Sequence, residues 1–301
     1  MKVPSEVVAR LAVQALKAEA GLAPKPGLVT PHSRGAHRDM DFALFLVSAQ
    51  ALEPCFEGCA RAGAATSVSD VPALLDRLRA IGRQGEAEMF QATGGVNTHK
   101  GAIFCLGLLC AAVGFLLEQE AEAGAIPLAE RACAFVARLC EGLVARELGA
   151  LPPGKVRTAG ERLFRDMGLR GARGQAEDGY PLLRLTLLPL LREGKRRGPE
   201  PFRQACLDAL LHAMAKLEDS CLLTRGGVEG LALARWGARE VLRRGGASTV
   251  HGRQAIEALD RQLSERGLSP GGCADMVAAG LFLVEVEDWL AKEACLGLRI
   301  A

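Results

Sequence analysis

Ala92-Thr93-Gly94-Gly95-Val96-Asn97-Thr98-His99-Lys100-Gly101 opens directly onto an apolar run at residues 102–117, and the reading of that run decides the fold. It approaches the length of a membrane span, but Gly107 and Gly114 interrupt it, so it reads as the central buried helix of a soluble protein. The adjacent glycines permit positive φ and leave amides uncovered, and Asn97 or Thr98 can cap a helix whose first turn carries His99 and Lys100. Free N–H groups, the positive end of a helix dipole, a lysine and a histidine would then face one small volume, which suits an anion. The same residues equally describe a plain turn and N-cap.

Outward from this stretch the chain alternates helical periodicity with glycine- and proline-rich breaks. Val7, Leu11, Ala15 and Leu16 predict a helix from Ser5 to about Ala20 that stops at Gly21. Residues 23–31 follow, where three prolines and a glycine fix an extended loop around Lys25, either a connector or a rigid mount for a cation. His32, Arg34, His37, Arg38, Asp39 and Asp41 crowd the entry to a helix at 42–52; the two aspartates suit N-caps, and equally suit Mg²⁺, which takes few protein carboxylates. Further helices are predicted at 71–90, 129–147, 201–217, 228–242, 255–266 and 274–293. Between them, 158–162, 171–181, 218–227 and 268–275 read as polar, glycine-rich junctions, the second exposing Arg173 and Glu177.

No alternating β-branched run or hairpin signal occurs, and alanine and leucine dominate. The expected fold is all-α, a single large multi-helix domain spanning 1–301, with an internal break near 150–155 and a cleft formed by glycine-rich interhelical loops.

Among 301 residues 49% are hydrophobic and 24% charged, which excludes a disordered chain, and a formal charge of +2 gives no field for nucleic acid. The mean hydropathy of +0.14 agrees with a packed core. Ten cysteines lie scattered in apolar segments without CxxC or zinc spacing, so they read as reduced and buried in a cytoplasmic protein. Cys55 and Cys59 share a helix face at i, i+4. The first residues carry no signal-peptide pattern, and no membrane partner is expected.

The cations Lys25, Arg34, Lys100, Arg173 and Arg225, with the acids Asp39, Asp41, Glu177, Asp219 and Asp275, suit a polyphosphate and a metal. There is no P-loop, no dinucleotide-binding glycine motif and no nucleophile elbow. The residues alone therefore lead to a helical nucleotide-binding protein with Mg²⁺.

Six blocks add a resemblance: Pro24-Lys25-Pro26-Gly27-Leu28-Val29, residues 35–42, residues 92–104, residues 158–164, Gly171-Ala172-Arg173-Gly174-Gln175-Ala176-Glu177 and Leu268-Ser269-Pro270-Gly271-Gly272. Together they resemble the triphosphoribosyl-dephospho-CoA synthase family over nearly the whole chain. The resemblance implies an all-helical enzyme that joins ATP to 3'-dephospho-CoA and frees adenine, making the prosthetic-group precursor of citrate lyase or malonate decarboxylase. The product would pass to a carrier-protein transferase, and a homodimer is compatible with the resemblance.

It further implies attack of the acceptor 2'-hydroxyl on C1' of the ATP ribose through an oxocarbenium-like transition state. Asp41, then Asp39, is the expected base, and His99 or His37 the proton donor to adenine. Lys25, Lys100, Arg173 and Arg225 would hold the triphosphate, with Mg²⁺ between it and Asp39 or Asp219. Arg34, Gly94, Gly95, Asn97, Glu177 and Asp275 complete the expected substrate contacts. Two positions depart from the family pattern: Cys221 replaces an asparagine and Cys273 a serine. A non-catalytic CoA- or nucleotide-binding protein and an ADP-ribosyl hydrolase-like enzyme are the alternatives.

Overall fold

The computed structural model describes residues 4–119, 126–151, 154 and 156–295. It is all-α, and the one extended pairing among the described residues is an isolated bridge between Thr30 and Ser33. Helices α1 (Ser5–Gly21), α2 (Phe42–Ala51), α3 (Glu53–Ala64), α4 (Val71–Ala92) and α5 (Lys100–Glu118) form the first half. The second half holds α6 (Leu128–Leu139), α7 (Ala159–Met167), α8 (Gly171–Glu177), α9 (Leu188–Arg197), α10 (Pro199–Lys216), α11 (Ser220–Arg243), α12 (Val250–Glu265) and α13 (Gly271–Cys295).

The apolar run is α5, at the centre, packed by α3, α4, α6 and α13. It is long and apolar enough to cross a membrane, yet 72% of it is buried inside the fold. Its small residues explain how it fits: a Cβ at Gly114 would collide with the Ala60 carbonyl of α3, and one at Gly63 of α3 with the Ala111 carbonyl. The two helices thus meet backbone to backbone, gaining dispersion contacts that larger side chains would forbid. One apolar cluster runs from Val8 of α1 to Val286 of α13 and draws on both halves. Pro152, Pro153 and Lys155, where a break was expected, lie outside the described residues.

Several expected loops are helical. Thr158 and Glu161 form a reciprocal capping box that starts α7, and residues 171–177 form α8 rather than an open loop. Residues 220–226 are the opening turns of α11, which kinks at Gly227 (φ 59°, ψ −157°) before resuming. The helix expected over 129–147 divides instead: α6 ends at Leu139, Gly142 takes φ 70°, and a short π-helical turn occupies Ala145–Gly149. Cysteines are free, with eight buried and Cys221 and Cys295 exposed.

Candidate functional site

The long connector from α1 to α2 is folded onto the second half of the molecule rather than left loose. Gly27 N–H donates to Asp260 of α12 at 2.8 Å, and Ala36 N–H returns to the Gly27 carbonyl at 3.2 Å. His37 closes the attachment: its Nε2 lies 2.8 Å from Ser269 Oγ, and its Nδ1 accepts from Arg225 at 3.1 Å. Burial first, then the Arg225 charge, pull the His37 pKa down to about 4 against the opposing pull of Asp39. His37 is therefore neutral near pH 7.

This fixed loop and the start of α2 enclose a groove of about 360 Å³ lined by Arg34, Arg38, Asp39, Asp41, Leu44 and Val47, among others. No glycine is among the residues that line it. Asp41 is the N-cap of α2, accepting from Leu44 N–H at 3.0 Å, and its other oxygen pairs with Arg34 at 3.2 Å. Asp39 stands freer, 62% exposed, with Oδ1 3.9 Å from His37 Nδ1.

Behind α2 lies a buried polar cluster at the starts of α5 and α13. Lys25 is only 2% exposed, and its ammonium donates to the carbonyl of Glu19 at 2.7 Å and to its carboxylate at 2.8 Å. His99, 4% exposed, sits within reach of the Lys25 charge; burial first and that charge second lower its pKa to about 3. Asp275 packs against Gly101, where any Cβ would strike its carboxylate. Burial, then the nearby Asp219 and Glu19, hold Asp275 well above the ordinary carboxylate range.

Asp219 is 1% exposed and accepts the amides of Cys221 (2.8 Å), Leu222 (3.0 Å) and Cys273 (2.8 Å), so it ties the start of α11 to the start of α13. Its oxygens are committed to those amides, so of the two expected metal ligands, Asp39 and Asp219, only Asp39 has an exposed carboxylate. Of the two cysteine departures, Cys221 meets Asp219 through its backbone N–H, and Cys273 through both its backbone N–H and its thiol.

The remaining sequence candidates sit elsewhere. Gly94 and Gly95 take φ of 65° and 92°, but Gly95 N–H donates to Phe90 O at 2.8 Å and closes α4. That amide is not uncovered as expected, because the helix before it needs a C-terminal partner. Asn97 accepts from Lys100 N–H at 3.3 Å, and Lys100 pairs with Glu86 at 2.7 Å on the half-exposed face of α4. Arg173 shares Glu147 with Arg79 and approaches Glu161 at 3.9 Å, while Glu177 lies 3.9 Å from Arg170. No hydrogen bond or ion pair among the described residues joins that network to the groove.

Sequence reasoning missed Glu19 and Ser48. Glu19 carried a signal, a lone acid on the buried face of α1 beside Leu16 and Ala20. Ser48 carried none, being a small residue in an apolar helix.

Residues 5–294 match the family described as ATP:dephospho-CoA triphosphoribosyl transferase. A protein of Escherichia fergusonii named 2-(5''-triphosphoribosyl)-3'-dephosphocoenzyme-A synthase is 42% identical over 92% of this chain and 89% of its own. Proteins of Azotobacter vinelandii and Vibrio cholerae, each named a probable synthase of the same kind, are 43% identical (95% and 93% covered) and 40% identical (93% and 88% covered). No solved structure matches the chain significantly. An all-α protein with this match from end to end belongs to the ATP:dephospho-CoA triphosphoribosyl transferase family.

Proposed function

We propose that the protein transfers the 5-triphosphoribosyl group of ATP to the 2'-hydroxyl of 3'-dephospho-CoA, releasing adenine, to make the prosthetic-group precursor of a citrate lyase or malonate decarboxylase carrier protein. The observation that carries the assignment of residues is the groove, where Arg34 and Arg38 stand beside Asp39 and Asp41. Guanidinium groups suit phosphate oxygens, and a carboxylate within reach suits a hydroxyl that must lose its proton.

Asp41 is the base in this reading. The Leu44 amide and Arg34 hold its carboxylate in one orientation, which general-base catalysis needs more than reach. Its negative charge also offsets the charge that grows on the sugar as adenine departs. Asp39 fits a magnesium ion that arrives with the triphosphate. Among the described residues no three His, Cys, Asp or Glu side chains form a closed metal cage, and Mg²⁺ requires only one or two carboxylates when phosphates complete its shell. When bound, the ion neutralises phosphate charge.

His99 is neutral, so it serves leaving adenine as an N–H hydrogen-bond donor rather than as an imidazolium acid. His37, expected as the other donor, accepts from Arg225 at Nδ1 and spends its single N–H on Ser269, so it holds the loop instead. Lys25 acts from within the fold, its ammonium fixed by Glu19. The product leaves for a carrier-protein transferase.

Asp41→Asn tests the assignment with the cap preserved, since asparagine caps helices as well as aspartate. Turnover is expected to fall roughly a hundredfold or more with KM for ATP little changed. Normal turnover with weakened ATP affinity alone would remove Asp41 from the role of base.

A further inference from the structure

Ser48, at the end of the second turn of α2, is fully buried in a helix whose one other polar residue is Gln50. Its Oγ lies 2.7 Å from His99 Nδ1 and 2.5 Å from Thr98 Oγ1. Phe45, one turn earlier on the same helix, meets the imidazole edge-on, with ring centroids 4.9 Å apart and planes at 73°. The His99 backbone is held as well, its N–H on Met89 Sδ at 3.2 Å. Ring position and rotation are thus set by α2, which also lines the groove through Leu44 and Val47.

The chain Thr98–Ser48–His99 can be satisfied in three ways, one of which, with Ser48 accepting from both neighbours, leaves the buried Ser48 hydrogen and the Nε2 lone pair without a partner; two others remain. In one, Nδ1–H donates to Ser48, Ser48 donates to Thr98, and the Thr98 hydrogen and the Nε2 lone pair are both left without a protein partner. In the other, Thr98 donates to Ser48, Ser48 donates to Nδ1, and Nε2–H alone is left over. Thr98 Oγ1 has no other partner among the described residues, and neither has Nε2. The second arrangement strands one polar group instead of two and is favoured wherever water is scarce.

We propose that Ser48, with Thr98 behind it, is a positioning residue that fixes His99 as its Nε2–H tautomer, so that a neutral hydrogen-bond donor faces the purine that leaves. The inference deepens the transferase reading and rests on it for the identity of the ligand. The donor strengthens as negative charge collects on the departing adenine, so its value lies in the transition state more than in binding.

The test is nitrogen-15 NMR of the full chain labelled at its histidines, combined with steady-state kinetics. In the unaltered protein, His99 Nε2 is expected to carry the pyrrole-type signal and Nδ1 the pyridine-type signal. The reverse assignment overturns the proposal, whatever the enzyme does. Ser48→Ala, which removes the donor to Nδ1, is expected to shift His99 toward the other tautomer and to lower kcat about tenfold with KM for ATP within twofold. Thr98→Val leaves Ser48 free to donate to Nδ1 and is expected to keep the tautomer, and Ser48→Thr, which restores the hydroxyl, to recover both signals. A changed tautomer with unchanged kcat, or a loss confined to KM, would overturn the positioning role. Failure of the unaltered protein to release adenine would instead strike the transferase reading, while the NMR assignment would still decide the tautomer.

Discussion

Asp219 illustrates how one buried side chain can do structural duty that looks catalytic in sequence. Its carboxylate takes up three amides from two helix starts, which both satisfies orphan donors and sets α11 against α13. Asp219→Asn places an NH₂ group where one of those amides donates, leaving a buried donor unsatisfied. A stability loss of about 2 kcal/mol is expected in a urea melt; an unchanged midpoint would contradict the junction. Asp275 is the converse case, a half-buried carboxyl with no hydrogen bond among the described residues, whose charge is opposed by desolvation, Asp219 and Glu19. With its folded pKa raised above the unfolded value, the folded state binds the proton more tightly. Stability is therefore lost as pH rises from the ordinary aspartate range through the raised value. Asp275→Asn is expected to remove that loss, raising Tm at pH 7 while lowering turnover; a lower Tm would show that the charge is compensated. Asp219 and Asp275 were legible in the sequence as acids beside glycine turns. Their partners were not, because contacts such as Asp219 to Cys273 or Ser48 to His99 join residues about fifty positions apart.

Elements with strong apolar periodicity were legible nearly to their ends: α1, α2, α4, α5, α10 and α13 follow the expected spans closely, while α12 begins five residues before its expected start. Among the helices missed were α9 and the short α7 and α8, the last two rich in glycine and charge, with the composition of a loop and an order that comes from a capping box and from ion pairs with distant residues. Glycine was ambiguous in the same way. At Gly95 it ends a helix, whereas at Gly63 and Gly114 it lets two helices touch. Gly63→Ala forces a methyl into the Ala111 carbonyl, and a loss of about 3 kcal/mol is expected in thermal or urea unfolding, the upper end for overpacking. A cost below about 0.5 kcal/mol would mean that α3 and α5 slide apart freely, contrary to a close-packed core.

At the scale of the molecule, one continuous core carries two polar sets: the groove of Arg34, Arg38, Asp39 and Asp41 before the start of α2, and Glu19, Lys25, His99 and Asp275 near the starts of α5 and α13. The sequence placed most of these residues in one site from their chemistry, and the fold divides them into an open rim and a largely enclosed set. Arg173 and Glu177, expected in the same cleft, belong to a separate ion network around Glu147 and Arg170. The central claim is that this arrangement moves a triphosphoribosyl group between two substrates. The most direct measurement is chromatography of adenine released from ATP and Mg²⁺, with and without dephospho-CoA. Adenine appearing only with the acceptor, together with a product heavier by one triphosphoribosyl group, is the expected result. Adenine formed equally without acceptor, or none formed with it, would contradict the account.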